Sequence, residues 1–158
     1  MIILLSPAKT LDENCVNPSL KAGDKTTPVF TGEAETLVYE LQKLPVGKLK
    51  TLLGVSDAIA KLNHDRYRDW EGQDVFTAAT LFDGPAYREL RAAELSGPQT
   101  KTAAKNLRIL CGLYGLLKPW DVIKPCRLDM GKKLGNSAGK DLYAFWGAKI
   151  AESIEKDL

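Results

Sequence analysis

The chain has 158 residues, enough for one domain, and its apolar (44%) and charged (27%) fractions are those of an ordinary globular protein. No apolar run approaches the ~20 residues that cross a bilayer, and the start, MIILLSPAK, lacks the positively charged leader of a secretory signal, so a cytosolic protein without a membrane partner is expected. The formal charge of +2 hides a segregation: residues 43–68 carry six Lys/Arg against two Asp, and residues 101–140 carry nine against two.

In chain order, Ile2–Leu5 is a continuous apolar run that reads as a strand buried on both faces, stopped by Pro7, with Ala8-Lys9-Thr10 in a loop beyond it. Residues 12–28 are polar and read as an exposed excursion. A helix over Glu33–Leu44 puts Leu37, Val38, Leu41 and Leu44 on one face. After Pro45 comes a second helix with Val46, Leu49, Leu52 and Leu53, ended by Gly54, and a third capped by Ser56, with Val55, Ile59 and Leu62 at helical spacing.

Ala78–Phe82 suggests a strand, and Asp83-Gly84-Pro85 leads into a helix through Leu95. Ser96-Gly97-Pro98 suggests a break before a short helix over Thr102–Asn106 and a strand over Leu107–Leu110. Cys126–Met130 reads as a further strand. Asp141–Lys156 reads as a closing helix with Leu142, Phe145, Trp146 and Ile150 inward. This alternation predicts an α/β architecture, or α+β, with a mixed sheet and surrounding helices in one domain over residues 1–158.

Leu52–Ala60, within a helical pair spanning 46–62, has the pattern of a helix-hairpin-helix. Gly54 permits the positive φ of a tight turn, Val55 would plug between the helices, and the N–H groups near Ser56 would face a phosphate. Lys48, Lys50, Lys61, Arg66 and Arg68 flank it as candidate contacts to the backbone of duplex DNA. Ser56 replaces the second glycine of such hairpins, and Asp57 is an unhelpful neighbour for an anion. A plain helical corner with Gly54 as C-cap explains the same residues, and basic stretches also serve simply to solvate helix faces.

Gly112-Leu113-Tyr114-Gly115 follows an apolar strand, at the kind of edge where α/β folds bind ligands. If the strands ending at Leu5 and at Leu110 are neighbours, Ser6, Lys9, Thr10, Tyr114, Arg127 and Asp129 are candidates for one pocket. Its cations would suit a phosphate or carboxylate, with Tyr114 stacking on a base or sugar. Alternatively Tyr114 is core and Arg127 pairs with Asp129. No catalytic nucleophile is legible. Cys15, Cys111 and Cys126 are odd in number and widely spaced, and His64 is the lone histidine. A disulfide framework, a zinc site and any other metal or cofactor centre are therefore not expected. Cys126, after Lys124-Pro125, is the better candidate for a reactive thiol, though a buried inert cysteine is the ordinary case.

Three segments carry a family resemblance: Ser6-Pro7-Ala8-Lys9-Thr10-Leu11, Leu107–Gly131 (LRILCGLYGLLKPWDVIKPCRLDMG), and Gly139-Lys140-Asp141-Leu142-Tyr143-Ala144-Phe145-Trp146. On these the chain resembles the YaaA family of bacterial peroxide-resistance proteins over its whole length. The resemblance implies a role in the hydrogen peroxide stress response, a lower free iron pool, and duplex DNA binding through a positively charged cleft with a helix-hairpin-helix. It implies a binding protein rather than an enzyme; the alternative is an enzyme acting on a nucleotide or nucleic acid through Lys9, Tyr114, Arg127 and Asp129. Family members continue well past the position of Leu158, so the fold is expected to be incomplete relative to them, with strands near Leu107 partly uncovered and self-association favoured.

Overall fold

A computed structural model describes residues 1–158 as a mixed α/β structure. The chain opens with β1 (Ile3–Leu5) and, past Pro7, the two-residue β2 (Thr10–Leu11). The polar stretch that follows runs largely over the surface. Its buried exceptions are Pro28 and Asn17, whose amide donates to the carbonyls of Ala92 and Leu95 at 2.6 and 3.0 Å.

Three helices come next: α1 (Thr31–Gln42), α2 (Val46–Leu53) and α3 (Asp57–Arg68). α1 buries Ala34, Leu37, Val38 and Leu41, the stripe its 3.6-residue period dictates. Gly54 ends α2 at φ 64°, ψ 47°, a region that costs a residue with a Cβ about 1–2 kcal/mol. Ser56 Oγ accepts the Ile59 N–H at 3.3 Å and opens α3. The apolar spacing misassigned the inner face of α3. Ile59 and Leu62 are 38% and 49% exposed, while Ala60, Asn63 and Tyr67 are buried. Hydrogen bonds from Asn63 and Tyr67, described below, decide the orientation.

The run expected as a strand at 78–82 is instead β3 (Phe76–Thr77), a single turn α4 (Ala78–Leu81), and β4 (Phe82–Asp83). Thr80 Oγ1 lies 2.7 Å from Thr77 Oγ1 and donates to the Thr77 carbonyl, which favours the turn over extended chain. α5 (Pro85–Leu90) stops short of Leu95 because Arg91 takes φ 47°. Ser96-Gly97-Pro98 does not break the chain but begins α6 (Gly97–Asn106): Ser96 and Gln99 form a capping box, and Pro98 sits in the first turn, where no amide donor is needed.

β5 (Leu107–Cys111) pairs parallel with β1, placing Leu4 opposite Arg108, and antiparallel with β6 (Gly115–Leu117), for a sheet order β1-β5-β6. Two-residue antiparallel pairings join β2 to β4 and β3 to β7 (Val122–Ile123). β1 is therefore a sheet edge. Ile3 and Leu4 are 47% and 45% exposed, contrary to the expected double burial of this strand, while Leu107, paired with Ile3, is itself buried. The expected closing helix is two helices, α7 (Leu142–Trp146) and α8 (Lys149–Asp157), because Gly147 turns the chain at φ 50°, ψ −126°. Leu142, Phe145 and Trp146 are buried as the pattern required, whereas α8 buries no residue fully. Asp157 on α8 accepts from the buried Arg108 Nε at 2.7 Å, and Lys149 reaches Glu33 at 3.5 Å. No helix is long and apolar enough to cross a membrane.

Candidate nucleic-acid interface

α3 is the element that brings the two basic stretches together. Asn63, 1% exposed, uses its Nδ2 to donate to the Ile59 carbonyl at 3.0 Å and its Oδ1 to accept the Arg127 N–H at 2.9 Å. One turn further on, Tyr67 Oη donates to the Arg127 carbonyl at 2.8 Å. Two side chains of one helix thus hold both polar groups of one peptide residue. This is why residues 126–130, expected as a strand, form none: the groups a ladder would need at Arg127 already have side-chain partners. The Arg127–Asp129 ion pair offered as the alternative does not form either, and Arg127 Nε is buried without a partner.

Held this way, the chain continues through Gly131-Lys132-Lys133-Leu134-Gly135 along one wall of a groove of about 690 Å³, whose other wall is Glu40, Lys43, Leu44, Lys48, Thr51 and Leu52 of α1 and α2. The Lys132 ammonium reaches the hairpin turn itself, 3.6 Å from where a Cβ on Gly54 would stand. Four lysines therefore line one open groove with a single carboxylate, and that carboxylate, Glu40, is engaged by Lys43 at 3.0 Å.

The candidate contacts named from sequence divide. Gly54, Val55 and Ser56 form the turn between α2 and α3, with Gly54 as the C-cap of α2 and Ser56 as the N-cap of α3. Lys48 lines the groove, and neither it nor Arg68 has an ion pair. Lys50 is tied to Asp57 at 2.9 Å and Lys61 to Asp65 at 2.8 Å. The Lys61 hydrogen bond holds the Asp65 carboxyl below its ordinary pKa. Arg66 is mostly covered and lies 3.9 Å from Glu13. Lys43, Lys132 and Lys133 were not singled out from sequence. The glycine-flanked lysine pair at 131–135 was the available signal. Arg108 and Lys124, from the second basic stretch, turn elsewhere: Arg108 to Asp157, Lys124 to Glu71 and the Trp70 ring.

The expected single pocket is two separate spaces that share only Pro7 and Ala8. Tyr114, Arg127 and Asp129 border a void of about 20 Å³, room for a water and not for a nucleotide. Tyr114 is a core residue, 5% exposed, with Oη accepting the Lys124 N–H at 3.1 Å, so it offers no stacking face. Burial pushes its phenol pKa up. Ser6, Lys9 and Thr10 lie outside, in a larger cleft beside Asp83 and Arg88. Burial also pushes the Cys126 and Cys111 thiols up, which argues against the reactive thiol considered for Cys126. His64 is partly exposed, 3.6 Å from Asp65.

Comparison with known proteins adds a relationship to this geometry. The family model described as "Peroxide stress protein YaaA" matches residues 1–158. A UPF0246 protein of Dechloromonas aromatica (strain RCB) is 40% identical over 162 residues, an alignment covering 100% of this chain and 62% of that protein. A UPF0246 protein of Burkholderia mallei (strain SAVP1) is also 40% identical, with 100% and 61% covered. The chain thus spans about three-fifths of the length of these relatives. With the family model matched from the first residue to the last and two such relatives, the chain belongs to the peroxide stress protein YaaA family.

Proposed function

We propose that this chain binds the phosphate backbone of duplex DNA in the groove between α1–α2 and residues 131–135, and that this contact serves to protect DNA from oxidative damage during peroxide stress. The observation that carries the reading is the meeting of lysines from two distant stretches at the hairpin turn, Lys48 from one and Lys132 and Lys133 from the other. Uncompensated ammonium groups in an open groove suit a polyanion, and lysine contacts of this kind recognise phosphate rather than base edges. Little sequence preference follows. The lower free iron implied by the resemblance draws no support from ligand geometry, since no three His, Cys, Asp or Glu side chains stand together to hold a metal.

Three groove lysines are without an acidic partner: Lys48, Lys132 and Lys133. Three phosphate contacts give a slope of log K on log salt near −2.7, hence about a 40-fold loss of affinity between 50 and 200 mM salt. Fluorescence anisotropy on a short duplex across a salt series tests this. Lys48→Gln/Lys132→Gln/Lys133→Gln should flatten the slope, Lys50→Gln/Lys61→Gln should change it less because both lysines are already paired, and Lys101→Gln/Lys105→Gln on α6 should leave it unchanged. A triple variant with wild-type affinity and slope would remove the groove from the argument.

A further inference from the structure

We propose that a second site, the cleft between the carboxyl end of β1 and α5, binds a small organic phosphate. It does not rest on the DNA reading, because none of its residues lines the lysine groove. The cleft is an open groove of about 600 Å³, within the size range of small-molecule sites, and lies beyond the carboxyl end of a parallel strand, where α/β sheets place ligands.

Its two walls are fixed to each other by the fold. Tyr87 Oη donates to the Ser6 carbonyl at 2.6 Å, Thr10 is paired with Asp83 across β2 and β4, and a Cβ at Gly84 would come within 3.0 Å of the Ala8 methyl. Asp83 and Arg88 form the rim of one wall. Arg88 Nε donates to Asp83 at 2.8 Å and Nη2 lies at 3.4 Å, which leaves Nη1 uncommitted. On the other wall the Ser6 and Thr10 hydroxyls and the Lys9 ammonium bond to no side chain or backbone group of the chain. One surface lysine without a partner means little. An ammonium, two hydroxyls and a spare guanidinium N–H turned to one preformed cleft make a donor set in search of an acceptor. The tetrahedral oxygens of a phosphate monoester match four donors better than a planar carboxylate does. Leu4, Leu5, Pro7, Pro85 and Ala86 supply an apolar lining for the body that carries it, and Leu4 is exposed there.

The test is a titration of the uniformly labelled full chain with adenosine monophosphate, adenosine, and inorganic phosphate, followed by amide chemical shifts. The monophosphate should saturate below ~1 mM, as a ligand of its size permits, and bind more tightly than either half. Perturbed amides should cluster at 6–10 and 83–88. Lys9→Gln/Thr10→Val should weaken binding at least ~5-fold with an unchanged melting temperature, the loss of about one charge-assisted hydrogen bond. Lys48→Gln/Lys132→Gln/Lys133→Gln should leave this affinity unaltered. Failure to saturate, shifts confined to the lysine groove, or an unweakened Lys9→Gln/Thr10→Val variant would each overturn the assignment.

Discussion

Replacing Asn63 by leucine tests the link between the fold and the groove most directly. The side chain is about the same size, so the change removes hydrogen bonds without opening a large cavity. The Ile59 carbonyl keeps its place in the helix ladder of α3, but the Arg127 N–H loses its acceptor at 2.9 Å. A covered donor left without a partner costs about 1–3 kcal/mol, and for a domain of this size each kcal/mol lowers the melting temperature by roughly 2–4 °C. Thermal denaturation should therefore show a fall of about 5 °C. Duplex affinity should fall as well, although no positive charge is removed, because Lys132 and Lys133 follow directly from the segment that Asn63 and Tyr67 hold. Tyr67→Phe should act in the same direction by freeing the Arg127 carbonyl, and the double variant should be less than additive, since either loss loosens the same peptide. An Asn63→Leu protein that melts with the wild type and binds DNA as tightly would refute the proposal that α3 positions the second lysine wall.

Two further outcomes follow from close contacts and from charge. A methyl group at Gly112 would collide with the Leu128 carbonyl oxygen, so Gly112→Ala should destabilise by about 3 kcal/mol or more, whereas Gly135→Ala, with nothing within 4 Å, should be close to neutral in the same melting assay. The Arg108 hydrogen bond holds the Asp157 carboxyl below its ordinary pKa. The ionised pair thus stabilises the fold above the unfolded carboxylate range, and this contribution is lost as pH falls through the lowered native pKa. Asp157→Asn should reduce the dependence of melting temperature on pH in the acid range; an unchanged acid profile would mean the pair contributes nothing.

Much of the helical framework was legible because its signals are local. The α1 stripe, Pro45, Gly54 at the end of α2, and Ser56 as cap of α3 each need only neighbours in sequence. The hidden features depend on distant partners. Arg127 and Asp129 alternate like a strand, yet Asn63, sixty-four positions away, takes the N–H that a ladder would have used. Ile59 and Leu62 look like the inner face of a helix until Asn63 and Tyr67 find those bonds. Ser96-Gly97-Pro98 shows a different failure. The same residues serve a turn or a helix start, and Gln99 at the third helical position decides for the start. In the candidate site the turn geometry at Gly54 was readable, but which lysines escape an acidic partner was not. Asp57 and Asp65 neutralise Lys50 and Lys61 through side-chain geometry that spacing alone does not fix.

The way α8 is attached has a dynamic consequence. A helix with no fully buried residue, moored by a carboxylate on Arg108 and an ammonium on Glu33, has little apolar area to lose when it lifts away. Its amides should exchange with deuterated solvent through a local opening far below the free energy of global unfolding, while those of β5, the central strand of the sheet, wait for the whole sheet to come apart.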